Sequence, residues 1–291
     1  MINLDSDKLI GREISGITLI SLRGRSGKGL VFDGFQRSLG RKVAIKLIPK
    51  NSGVCASINS FINRAQVLTE LDHPNIAAVS GAGEYEDFLF ITMRLIEGVS
   101  LQSIIERKLC SKDVSKRFIP VAVALRIITA VLDALEYVHN EGIVHQDVKP
   151  GNILIEKTDK TPFLVDFGIA RISSFEEKPK SVLGTPLYIA PEQARGEITD
   201  SRADIYCAGV TLWECLAGTL PAPSLPAIKL VSVKARNPEN FFQVSPSDSS
   251  SKIDSELERI ILKATASNRD MRYRNCGQFR NDINFYIENR Y

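Results

Sequence analysis

The chain has 291 residues, 44% of them apolar and 24% charged, with a formal net charge of +3. That is enough apolar content for a substantial core, and too balanced a charge for bulk attraction to nucleic acid or an anionic membrane. Five cysteines (Cys55, Cys110, Cys207, Cys215 and Cys276) stand at no metal-ligand or redox spacing, which predicts free, mostly buried thiols in a reducing compartment. The first residues carry neither a basic leader nor an apolar segment. A cytoplasmic location is therefore expected, for a free protein or the cytoplasmic part of a longer one, with no membrane segment and no nucleic-acid partner.

Strands are predicted at residues 18–22, 30–35, 42–48 and 88–93, each short, rich in β-branched or aromatic residues and bounded by Gly, Pro or charge. Gly24-Arg25-Ser26-Gly27-Lys28-Gly29-Leu30-Val31 is expected to lie between the first two, where glycines let backbone N–H groups approach phosphate oxygens. A plain hairpin turn has the same composition. Val43-Ala44-Ile45-Lys46 falls in the third strand, where an exposed lysine would look no different. A helix at about 58–71 ends at Asp72-His73-Pro74, since proline disfavours helix at and before itself. These features divide the chain into a β-rich lobe, 1–96, and a helical lobe, 97–291, with a hinge near Glu97-Gly98.

The second part opens on an amphipathic helix at 121–138, whose charges Arg126, Asp133 and Glu136 and apolar spacing mark a core-facing helix rather than a membrane span. His145-Gln146-Asp147-Val148-Lys149-Pro150-Gly151-Asn152 then places an acid, a cation and an amide at fixed short intervals, the makings of a base, a phosphate clamp and a metal ligand. Short strands at 153–155 and 163–165 lead to Asp166-Phe167-Gly168. Gly184-Thr185-Pro186-Leu187-Tyr188 and Ala190-Pro191-Glu192 follow, then Asp204-Ile205-Tyr206-Cys207-Ala208-Gly209 and Asp270-Met271-Arg272-Tyr273. The Pro- and Ser-rich stretch from Pro221 to Asp254 is expected to be a poorly ordered surface connection.

Taken together and in this order, from Leu19 to about Tyr286, these motifs resemble the protein kinases, and the serine/threonine kinases of the bacterial Hanks type in particular. The resemblance implies an α+β, bilobal protein-kinase-like fold, β-rich N-lobe and helical C-lobe. It implies transfer of the ATP γ-phosphoryl group to protein Ser/Thr hydroxyls, with autophosphorylation through self-association and with ATP and Mg²⁺ or Mn²⁺ as cofactors. The implied catalytic residues are Asp147 as base, Lys149 on the transferring phosphoryl, Asn152 and Asp166 as metal ligands, and Lys46 on the α- and β-phosphates. Leu22, Gly24, Ser26, Gly27, Gly29, Val31, Ala44, Lys46, Met93, Leu95 and Leu154 would surround ATP, and Thr185 would serve peptide docking. Asp204 would anchor the catalytic loop, and Arg272 would pair with Glu192.

Three departures from the family pattern stand out, at four positions. Arg64 stands where a glutamate would pair with Lys46, and no Asp or Glu occurs between Asn51 and Gln66. Two cations about 4 Å apart would repel by roughly 4 kcal/mol at an effective dielectric of about 20, so Arg64 and Lys46 are not expected to meet. Arg23 and Ser26 replace an apolar residue and a glycine in the phosphate loop. Gln146 replaces an arginine that commonly binds a phosphorylated activation loop, although Ser173, Ser174, Ser181 and Thr185 remain available. The main expectation is an active serine/threonine kinase. The alternative is a catalytically weak, pseudokinase-like nucleotide- or protein-binding module, and a small-molecule phosphotransferase fits less well because such enzymes generally lack the docking segment.

Overall fold

The computed structural model describes residues 6–26, 29–50, 58–113, 117–167, 187–221, 227–241, 245–249 and 253–290. They fall into two compact units, one ending at Glu97 and one beginning at Gly98.

The first unit is an antiparallel sheet of β1 (Glu13–Ile14), β2 (Ile17–Ser26), β3 (Gly29–Gln36), β4 (Arg41–Pro49), β5 (Val79–Tyr85) and β6 (Phe88–Arg94), in the order β1-β2-β3-β4-β6-β5. The alternating side-chain directions of a strand sort this sheet into two faces. Phe32, Ile45, Leu47 and Phe90 belong to one buried apolar cluster with Leu19 and Leu30. The opposite face is set by register: Gly24 lies across from Val31, Val31 from Lys46, and Lys46 from Ile91, while Ala44 pairs with Met93. The glycine-rich segment is less of a loop than expected, because strand pairing continues through Leu30 with Arg25 and Gly29 with Ser26.

Strand β5 escaped the sequence reading because its Val-Ser-Gly-Ala-Gly-Glu-Tyr has little strand propensity of its own. It forms because Ala82 and Glu84 register against Ile91 and Leu89 of β6. Its Gly83 leaves room for the Phe90 ring, which a Cβ would meet at 2.8 Å. Helix α1 (Ile58–Thr69) buries Phe61, Ala65 and Leu68 and packs on β5.

In the second unit, β7 (Gly98–Ser100), β8 (Ile153–Glu156) and β9 (Pro162–Leu164) form a small antiparallel sheet. Helix α2 (Leu101–Leu109) begins at Ser100, whose hydroxyl caps it by accepting from the Ser103 N–H at 3.1 Å. Helix α3 (Val121–Asn140) buries the apolar stripe that its sequence advertises, against α5 (Arg202–Ala217) and α9 (Cys276–Glu288). Helix α5 is buried on every side from Ala203 to Ala217. A Cβ at its Gly209 would meet Ala264 and Thr265 within 3 Å, so this glycine sets how closely α8 (Ser255–Ala264) can pack.

One expectation needs correction. The Pro- and Ser-rich stretch carries α6 (Ala227–Arg236), a short turn at Pro238–Phe241 and α7 (Pro246–Ser249), following α4 (Pro191–Ala194) in the chain. Leu230 and Phe241 are fully buried there, so apolar anchoring outweighs the breaker residues. Cys110 is exposed, whereas Cys207, Cys215 and Cys276 are buried free thiols; Cys55 lies outside the described residues. None of the described helices is long and apolar enough to cross a membrane.

Candidate active site

The chemistry-bearing loop of the second unit hangs from one buried carboxylate. Asp204, in the first turn of α5 and wholly inaccessible, accepts from the backbone N–H of His145 at 2.8 Å and of Gln146 at 2.7 Å. Its Oδ2 also meets His139 Nε2 at 2.8 Å. A short loop turning away from a helix has no ladder partners for its N–H groups, and this carboxylate provides them. Gln146 bends the chain in the left-handed region, φ 61°, and its side-chain amide donates to Thr199 Oγ1 at 3.2 Å. That is where the departure from arginine leaves it: the side chain is tied to a neutral hydroxyl.

His145 is a structural part of the loop. Its Nδ1 accepts from the Asp147 N–H at 3.3 Å, so Nε2 carries the proton and donates to the Val165 carbonyl at 3.2 Å. Burial favours this neutral form and pushes the imidazole below its usual range, against the opposing pull of Asp204 and Asp147. The ring packs on Phe167 at 4.7 Å between centroids.

The three predicted residues of this loop converge. Lys149 Nζ donates to Asp147 Oδ2 at 2.9 Å, and Asn152 Nδ2 donates to the same oxygen at 3.2 Å and to the Asp147 carbonyl at 2.8 Å. Pro150 opens a single tight turn, closed by the Asn152 N–H on the Lys149 carbonyl at 2.9 Å, which brings both side chains back onto the aspartate. The Asn152 carbonyl accepts from the Val165 N–H at 2.9 Å, tethering the residue before Asp166. Asp166 itself sits at φ 63°, a left-handed conformation that costs a non-glycine residue about 1–3 kcal/mol and is common at functional sites.

With its amide nitrogen committed to Asp147, Asn152 could offer a cation only its amide oxygen. Asn152 and Asp166 are hard oxygen donors of the kind Mg²⁺ takes, in a set small enough to leave positions for phosphate oxygens and water. Among the described residues no cluster of three or more His, Cys, Asp or Glu side chains forms a self-sufficient metal site.

In the first unit, Lys46 is 4% exposed on β4, and Ala44 is buried beside it on the same face. Val31, Met93 and Leu95 keep partial exposure, as does Leu154 of β8 in the second unit, whereas the partly exposed Leu22 registers against Phe32 and packs on the apolar cluster of the other face. Gly24 has open space where a Cβ would stand, whereas a Cβ on Gly29 would fall 2.0 Å from the Leu47 carbonyl oxygen. Strand packing by itself therefore requires the glycine at 29. Arg23 is explained too: at the bulge between Leu22 and Gly24, its guanidinium pairs with Asp33 and donates to the Ile96 carbonyl at 3.2 Å. Arg64 lies half-buried on α1. The Ser26 side chain, Gly27, Gly168, Thr185, Ser173, Ser174 and Ser181 lie outside the described residues.

Arg272 and Glu192 form a bidentate pair at 2.6 and 2.8 Å, both buried. Three contributors were not read from the sequence. His139 and Gln193 support the loop through Asp204 and through the Gln146 carbonyl, which Gln193 Nε2 reaches at 3.1 Å. Lys234 is fully buried on α6 and donates to the carbonyls of Leu187 and Ile189 at 2.6 and 3.0 Å. Its position four residues after Leu230, on the apolar face of a helical pattern, was the available signal.

A family model described as protein kinase domain matches residues 19–278. The serine/threonine-protein kinase PrkC of Bacillus subtilis is 35% identical over 286 residues, covering 94% of this chain and 41% of that protein. PknB of Mycolicibacterium smegmatis, another serine/threonine-protein kinase, is 34% identical over 254 residues, 84% of this chain and 39% of that protein. The chain thus spans about two fifths of the length of these curated relatives. The crystal structure of the Mycobacterium tuberculosis PknI kinase domain superposes with a TM-score of 0.73 at 25% identity, covering 95% of this chain and 98% of that one.

Proposed function

The chain belongs to the protein kinase family, and from that membership we propose that it transfers the γ-phosphoryl group of ATP to serine and threonine hydroxyls of proteins. The observation that carries the reading is the convergence of Lys149 and Asn152 on the Asp147 carboxylate, in a loop whose backbone is held by Asp204. Family membership implies ATP and a divalent cation in general; that the cation is Mg²⁺ or Mn²⁺, held by Asn152 and Asp166, is part of the proposal. When bound, the nucleotide and its cation would supply the phosphoryl group and offset its charge.

The residues of this chain then divide the remaining work. Asp147 orients the attacking hydroxyl and takes its proton. Lys149, already within hydrogen-bond distance of Asp147, balances the charge gathering on the transferred group. Lys46 would hold the α- and β-phosphates. Leu22, Gly24, Ser26, Gly27, Gly29, Val31, Ala44, Met93, Leu95 and Leu154 would surround the nucleotide, and Thr185 would serve docking of the protein substrate. The first lobe, 1–96, would bind the nucleotide and the second, 97–291, the substrate. Autophosphorylation would require two copies to meet.

The test is Mg²⁺-dependent incorporation of label from γ-labelled ATP by wild type, Asp147→Asn and Asp166→Ala. Both substitutions should remove label by about 10²-fold or more while leaving the melting transition in place. Wild-type turnover in Asp147→Asn would contradict the role given to that residue.

A further inference from the structure

Residues 187–190 carry no ladder of their own, yet Tyr188, Ile189 and Ala190 are buried. Buried backbone groups in such a stretch have to find side-chain partners. The Ala190 N–H finds Gln193 Oε1 at 2.9 Å, and the Tyr188 carbonyl faces the Cys207 thiol at 3.3 Å. The two flanking carbonyls, of Leu187 and Ile189, both go to the single ammonium of Lys234. No carboxylate pairs with it among the described residues. Its remaining environment is the ring of Phe241 at 3.9 Å and that of Tyr206 at 5.2 Å.

We infer that Lys234 is a positioning residue for the protein substrate: by clamping the Leu187 and Ile189 carbonyls it sets the backbone path of the segment on which the acceptor peptide docks. The inference rests on the proposed docking role of that segment. A neutral hydrophobe would serve packing better at so buried a position, since an unpaired ammonium is costly to desolvate; the two carbonyls and the aromatic walls are what compensate it. Burial pushes the ammonium down to about 7, opposed by the nearby Cys207 thiol. The other charged or titratable groups packed around it are Tyr206 of α5, the Arg272 guanidinium over that ring, and Glu192 of α4 paired with Arg272. An amine keeps two N–H donors after losing its proton, so the clamp persists through this titration.

Lys234→Met and, as a packing control, Leu230→Ala test the assignment. Steady-state phosphorylation of a basic protein by Lys234→Met should show KM for the protein raised tenfold or more with KM for ATP within twofold, whereas Leu230→Ala should lower the melting temperature without moving the ratio of the two KM values. Amide exchange read by mass spectrometry needs no turnover and separates failure of this inference from failure of the kinase reading. Exchange at residues 187–190 should accelerate in Lys234→Met and not in Leu230→Ala. Unchanged exchange at 187–190, equal losses for protein and ATP, or a Lys234→Met chain that does not fold would each overturn the positioning role.

Discussion

Glu192 and Arg272 are a buried pair, and the worth of such a pair is seen when one partner is removed. Arg272 also donates to the carbonyls of Ala266, Arg202 and Ser267, so its loss would strand a carboxylate and three acceptors. Arg272→Met is expected to destabilise the chain by about 3–5 kcal/mol in urea unfolding, with a smaller cost in the double substitution Glu192→Leu/Arg272→Met. A single-mutant cost below about 1 kcal/mol would show that the pair is dispensable. The pair was legible from two motifs eighty residues apart, as were Asp147, Lys149 and Asn152, because each is spelled by several neighbours at fixed spacing. His139, Gln193 and Lys234 were not, because their partners are backbone atoms or a distant aspartate, and nothing local marks them.

At the scale of elements, the glycine-rich hairpin separates two reasons for a glycine. Gly29→Ala would drive its Cβ into the Leu47 carbonyl and is expected to cost about 1–3 kcal/mol of stability. Gly24→Ala meets open space and should leave stability within about 0.5 kcal/mol, while raising KM for ATP if phosphate approaches the backbone there. Thermal melts alongside nucleotide titrations would show the dissociation; equal destabilisation by both would contradict it. The strands rich in β-branched or aromatic residues, β2, β3, β4 and β6, were readable. Strand β5 was not, since its identity comes from the partner strand and the Phe90 ring, and the 227–249 helices were hidden because tertiary anchoring by Leu230 and Phe241 overrode a breaker-rich composition.

For the whole molecule, the buried ionisable groups set a stability profile with pH. Lys234 titrates near 7 when folded, against about 10.4 for a free lysine, so between these values the unfolded chain binds more protons and stability rises with pH. His145, depressed by burial, acts in the same direction, its contribution being lost as pH falls below about 6.5. Cys207, Cys215 and Cys276 are pushed up by burial; above about 8.5 they ionise only when unfolded, and stability falls. Melting temperature at fixed ionic strength should therefore climb from pH 6, peak near about 8 and decline beyond about 9, and Lys234→Met should flatten the rise above 7. A maximum at pH 6 would contradict these assignments.

The central claim, transfer to serine and threonine hydroxyls by the loop around Asp147, is tested most directly by phosphoamino-acid analysis of a generic basic protein incubated with the chain, Mg²⁺ and γ-labelled ATP. The account predicts phosphoserine and phosphothreonine with wild type and neither with Asp147→Asn. Phosphotyrosine as the main product, or label undiminished in Asp147→Asn, would contradict it.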